Sequence, residues 1–102
     1  MTIKKQFLKS RPECKVKFRV PKEQVGEVQS VHLVGDFNDW DTEAMPMDQL
    51  KTGDFTTTLY LALDQAYQFR YLADGEQWLN DQQADQLAPT PYPDVHNSVI
   101  LT

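Results

Sequence analysis

The stretch Val34 to Pro46, VGDFNDWDTEAMP, gathers the side chains with the most chemical capacity: Asp36, Asp39, Asp41 and Glu43 surround Asn38 and Trp40. Glycoside hydrolysis needs two carboxylates about 5 to 10 Å apart across a sugar, and one of them needs an apolar pocket that raises its pKa until it can donate a proton. These four acids share a segment rich in Gly, Asp and Asn, residues that belong where a chain bends. A chain of 102 residues also has little room for a deep cleft. The acids therefore read as turn and surface groups, and no catalytic residue is expected. A calcium loop fails in both registers. With Asp36 in first place the fifth ligand position falls on Trp40 and the sixth, where glycine is required, on Asp41; starting from Asp39 puts Ala44 sixth.

Other reactive groups are sparse. His32 and His96 stand alone as possible metal ligands, no Ser or Cys has a convincing base, and Cys14 reads as an inert, partly buried thiol beside a strand. Gly35, Gly53 and Gly75 are isolated turn glycines and make no phosphate cradle. No metal or cofactor is expected. The aromatics remain. Trp40 follows a bend and Trp78 follows Asp74-Gly75, so each is either a core or rim residue, as most tryptophans are, or an exposed platform. An indole is a broad, rigid, weakly polar face on which the apolar side of a neutral sugar ring can lie flat.

The elements that must position these residues are strands. KVKFRV alternates Val16, Phe18 and Val20 with Lys15, Lys17 and Arg19, the signature of a half-buried strand. SVHLVG repeats the pattern and ends at Gly35. DFTTTLYLAL sets Phe55, Thr57, Leu59 and Leu61 against Thr56, Thr58 and Tyr60. AYQFRYLADGEQWLN reads as a hairpin turning at Asp74-Gly75, with Tyr67, Phe69 and Tyr71 on one face and Gln68, Arg70 and Leu72 on the other. NSVIL closes the chain. About seven short strands with turn signals between them, and no amphipathic helix of ten residues, predict an all-β, antiparallel β-sandwich. Residues 1–14 read as an N-terminal extension and 15–102 as the sandwich. The segment from Asp81 to His96 reads as one long irregular loop, a type that is often functional.

Composition narrows the partners. A net charge of −5 argues against RNA, DNA and anionic membranes, whose binding is dominated by Lys and Arg. A single cysteine excludes an internal disulfide, and the start MTIKKQFLKSRPECK lacks a signal-peptide apolar run, so a cytoplasmic location is expected.

HLVGDFNDWDTEAMPM, GDFTTTLYL, YQFRYLADGEQWLND and the terminal NSVIL, in this order, resemble the family 48 carbohydrate-binding module, found at the amino end of isoamylase-type and glycogen-branching enzymes and in the AMP-activated kinase β subunit. The resemblance covers nearly all of the chain after about Val16 and implies an immunoglobulin-like sandwich of the early-set type, here as a stand-alone chain. It also implies an α-glucan site. Position by position, its two tryptophans fall on Trp40 and Trp78, its basic strand residue, usually lysine, on Arg70, and its late asparagine on Asn97; Leu87 and Thr90 are nearest to the leucine and threonine of its late loop. PYPDVHNSVI departs from the Gly-rich approach to the asparagine seen in many enzyme-linked members, which bears on how the loop from Asp94 to Asn97 is placed.

The resulting expectation is a non-catalytic module that binds glycogen, starch or maltooligosaccharides, stacking the sugar on Trp40 and Trp78 with hydrogen bonds from Arg70 and Asn97. Two angled indoles suit a curved α-1,4-linked chain. The rival expectation is a protein-interaction or scaffold domain of a glycogen-metabolism complex with a vestigial sugar site, contacting a glycogen-metabolising enzyme or kinase-like partner in trans. In the glycosidase relatives the catalytic carboxylates belong to a separate (β/α)8 barrel.

Overall fold

The computed structural model describes residues 2–91 and 95–102. Alternation does what the sequence pattern demands. In β2 (Glu13–Val20), Cys14, Val16, Phe18 and Val20 are completely buried between Lys15, Lys17 and Arg19, which face outward. β2 is flanked by β1 (Thr2–Phe7) and by β5 (Phe55–Ala62), and β5 carries the two-residue β4 (Asp48–Gln49), giving the order β1-β2-β5-β4. The second sheet contains β3 (Val31–Gly35), β6 (Ala66–Ala73), β7 (Gln77–Leu79), β8 (Gln86–Pro89) and β9 (His96–Leu101), in the order β3-β6-β9-β8, with β7 also paired to β6. Every pairing is antiparallel. The fold is the expected β-sandwich, and the one α-helix among the described residues is the single turn α1 (Lys22–Val25).

The core lies between the sheets. Val16, Phe18, Val20, Phe55 and Leu61 from the first meet Val31, Leu33, Phe69, Tyr71 and Ile100 from the second. Phe69 is its hub, with ring centroids 5.3 Å from Phe18 and 5.7 Å from Tyr71, both edge-on, the arrangement aromatic quadrupoles favour. Cys14 is a free thiol and is wholly buried, where partial burial was expected.

Two segments differ from the sequence reading. Residues 1–14, expected as an extension, contain β1, which runs in register with β2 from Thr2 opposite Arg19 to Phe7 opposite Cys14. Its sequence, TIKKQF, hides it: Lys5 occupies an inward position among Ile3 and Phe7 and is satisfied by Asp85 at 2.6 Å. An inward charge is one way an edge strand avoids pairing with another molecule. The segment Asp81 to His96, expected as irregular, contains β8, paired with β9 from Gln86 opposite Val99 to Pro89 opposite His96. Pro89 weakens the strand signal, yet proline is tolerated on an edge. Among the described residues, no helix is long and apolar enough to cross a membrane.

Candidate functional site

The stretch that begins GDFNDW folds as a device for presenting one ring. Gly35 ends β3 against β6 so closely that an added Cβ would lie 2.5 Å from the Gln68 carbonyl oxygen and 2.7 Å from Phe69 Cβ. Phe37 turns inward, its ring 6.2 Å from both Phe18 and Tyr67. Asn38 locks the turn: its Oδ1 accepts from the Gly35 N–H at 3.1 Å and its Nδ2 donates to the Leu33 carbonyl at 2.9 Å. Asp39 and Trp40 then adopt left-handed backbone, with φ of 56° and 59°. Such a conformation is unusual for a bulky side chain and persists only where surrounding contacts impose it. Here the Trp40 N–H donates to the Gly35 carbonyl at 2.9 Å.

Asp36 fixes the ring itself. Its Oδ1 accepts from Trp40 Nε1 at 2.9 Å, and its Oδ2 accepts from the Gln68 backbone N–H at 2.8 Å, so one carboxylate ties the indole to β6. It is the first of the four acids that read as turn groups. Among the described residues no group of three or more His, Cys, Asp or Glu is arranged to hold a metal ion.

β6 supplies the floor. With Phe69 and Tyr71 turned into the core, Gln68, Arg70 and Leu72 face outward. Val34 stands opposite Arg70 on β3, and Trp78 stands opposite Leu72 on β7. The turn before β7 is a left-handed one at Asp74 (φ 51°) and Gly75 (φ 70°), closed by the Glu76 N–H donating to the Ala73 carbonyl. Arg70 lies between the tryptophans, its guanidinium carbon 5.9 Å from the Trp40 ring centroid and 4.9 Å from that of Trp78. Each contact is a cation–π interaction worth about 0.5–1 kcal/mol at an exposed site. Trp78 is 41% exposed and Trp40 is half-buried. On the same face Val34, Leu72 and Val99 are buried although they lie outside the core cluster.

Asn97, near the start of β9, donates from Nδ2 to Gln68 Oε1 at 3.0 Å and so joins the row. Arg70 makes no hydrogen bond or ion pair among the described residues. Three buried polar atoms there have no partner: Arg70 Nε, Asn97 Oδ1 and His32 Nδ1, and all belong to outward positions of this sheet. Buried polar groups usually are paired.

The late loop divides. Leu87 is 58% exposed but stands opposite Ser98, whose side chain is in the interior, and so it belongs to the other face of the sheet from Asn97; Ala88 is the residue opposite Asn97. Thr90 lies just past β8 and its hydroxyl donates to the Val95 carbonyl at 2.9 Å. Asp94, with which the approach to Asn97 begins, lies outside the described residues.

A buried network supports β9 from behind. The Tyr71 hydroxyl donates to Asp81 Oδ2 at 2.7 Å, the Asp81 N–H donates to Ser98 Oγ at 2.8 Å, and that hydroxyl donates to Asn80 Oδ1 at 2.9 Å. Burial first, then the adjacent Asp81 charge, hold the Tyr71 phenol well above its ordinary pKa. Gln68 and Asp81 were not singled out from the sequence, and Asp36 was read only as a turn acid. The sequence cue for Asp81 was a carboxylate three residues beyond Trp78 at the mouth of a loop.

The arrangement offers two indole surfaces, one cation and an amide row on an open face. No curated protein sequence matches the chain. The family described as the glycogen recognition site of AMP-activated protein kinase matches residues 22–92, a span that carries Trp40, Arg70 and Trp78 and ends before Asn97. With most of its length inside that match, the chain belongs to this family of glycogen-binding carbohydrate modules.

Proposed function

We propose that the outer face of the β3-β6-β9-β8 sheet binds an α-1,4-linked glucan without transforming it, with Trp40 and Trp78 as stacking surfaces and Arg70, Asn97 and Gln68 as hydrogen-bonding partners for sugar hydroxyls. The observation that carries this reading is the convergence of two indoles, from separate turns, on one guanidinium in the middle of an open face. A curved polymer fits walls on either side of a central donor better than a flat ribbon does. Arg70 has a fork of donors that fixes direction, and the three ion pairs among the described residues do not include it. Leu87, on the other face of the sheet by its register, is left out of this reading.

Stacking adds roughly 0.5–1.5 kcal/mol per ring beyond area burial, which places the affinity for short oligosaccharides at around millimolar to micromolar. Long or branched glucans gain by offering many sites. A glycogen-metabolising enzyme or a kinase-like protein is the partner that such a module would bring to the polymer.

The test is a titration with a maltooligosaccharide, followed by tryptophan fluorescence and by NMR of the two indole N–H signals, beside native-gel mobility in glycogen. Both indole signals should move together, and Trp78→Ala should weaken binding about tenfold or more. A titration in which millimolar sugar leaves both signals and the gel mobility unchanged would overturn the proposal.

A further inference from the structure

The face on the other side of the molecule carries a different chemistry. Residues 1–20 hold seven of the ten Lys and Arg side chains against one acid, Glu13, whereas the remaining chain holds three cations and fourteen acids. β1 and β2 turn that imbalance into a surface. Lys4 stands directly opposite Lys17, Gln6 opposite Lys15, and on the next strand Thr58 lies opposite Lys17 and Tyr60 opposite Lys15, all on the outward side of the first sheet.

Like charges directly opposite on neighbouring strands repel, and nothing nearby neutralises these. Arg19 is paired with Asp54 at 2.7 Å, Arg11 with Glu13 at 3.2 Å and Lys5 with Asp85 at 2.6 Å, while Lys4, Lys15 and Lys17 have no ion pair among the described residues. They line, with Lys5 and Gln6, a shallow depression of about 280 Å³. Beside it Tyr60 is 50% exposed, with the Arg11 guanidinium 5.2 Å from its ring centre.

We propose that this face docks an acidic segment of a partner protein, with Lys4, Lys15 and Lys17 meeting its carboxylates and Tyr60 serving as the apolar anchor. Magnitude decides between this and a small anion. An exposed ion pair changes an equilibrium constant by about fivefold at most, so three together fall short of the roughly thousandfold that defines millimolar binding. A partner must add buried apolar contact, and a half-exposed tyrosine bordered by arginine is the kind of residue that supplies it. Of the acids near this face, Glu13 is paired with Arg11 and Asp54 with Arg19, and Asp48 lies on β4, two strands away from β2. Glucan on the tryptophan face, across the 22 Å thin dimension of the molecule, leaves this face open.

The full chain is titrated with a synthetic peptide of alternating Glu and Leu and followed by amide NMR, with inorganic phosphate and phosphatidylserine-containing vesicles as separate arms. Expected are shifts confined to β1, β2 and β5, with the Trp40 and Trp78 indole signals unmoved. Affinity should fall at least tenfold in Lys4→Glu/Lys15→Glu/Lys17→Glu, whose three positions are outward and whose fold is checked by its core methyl spectrum. Tyr60→Ser should weaken it severalfold with the charges intact. Shifts scattered over the surface, the absence of any shift, or phosphate or vesicles binding as tightly as the peptide would overturn the proposal. Because its readout leaves the sugar face untouched, it stands or falls separately from glucan binding.

Discussion

At the scale of single residues, the most consequential side chain beneath the tryptophans is Asp36. One of its oxygens holds the Trp40 indole N–H and the other holds β6. Asp36→Ala frees the ring to leave the row shared with Arg70, and glucan affinity should drop about fivefold, the worth of one hydrogen bond. The Trp40 indole N–H signal should shift in the absence of sugar. In a Trp40→Phe background, where only the Gln68 tie of Asp36 remains, Asp36→Ala should cost less; an equal loss there would assign the carboxylate a general structural role instead. Trp40 and Trp78 stood out in the sequence by type and position, and Arg70 and Asn97 were implied by the family resemblance; the structure sets the Arg70 guanidinium between the two rings. The hydrogen bonds of Asp36 could not be read, because one of them reaches a strand 32 positions away. With the strand β8 hidden, nothing in the sequence revealed which face Leu87 would take.

At the scale of elements, the closeness of β3 to β6 leaves no room for a side chain at position 35. Gly35→Ala should destabilise the protein by roughly 1–3 kcal/mol, as overpacking does, and should weaken glucan binding as well, because relief of the contact moves the strand that carries Arg70. Denaturant melts and the sugar titration check both parts. The strap from β7 to β9 gives a second prediction. Tyr71→Phe leaves Asp81 short of a buried donor and should cost roughly 1.5–3 kcal/mol. The pH dependence has a definite sign. The unfolded phenol loses its proton near pH 10, while the folded one retains it. The contribution of Tyr71 is therefore complete below that pH and is lost as pH rises beyond it, so the phenylalanine variant should show a shallower alkaline decline. Strands with two-residue alternation, β2, β3, β5 and β6, could be read directly. The edges β1 and β8 could not, since Lys5 takes an inward position in one and Pro89 interrupts the strand signal of the other.

At the scale of the whole molecule, two unlike faces are carried on one thin body, 39 × 37 × 22 Å, and the open side between the sheets is closed by charge. Asp85 accepts from Lys5 of the first sheet and from the Leu101 N–H of the second. Burial pushes its pKa up, but the Leu101 N–H and Lys5 outweigh that and hold it below the ordinary value. Asp54 is lowered as well, first by the Lys22 backbone N–H and then by Arg19. For groups lowered by folding, stability is present above the unfolded pKa of about 4 and lost as pH falls through the folded value. Acid should therefore loosen the sandwich below about pH 4, and Lys5→Met should make that decline shallower in a thermal melt series.

The left-handed pair at Asp39 and Trp40 has one more implication. A ring delivered by backbone that its neighbours already hold in place has little freedom left to surrender when a guest arrives. Calorimetry of sugar binding should then record favourable heat with only a small opposing entropy, the profile of a rigid receptor.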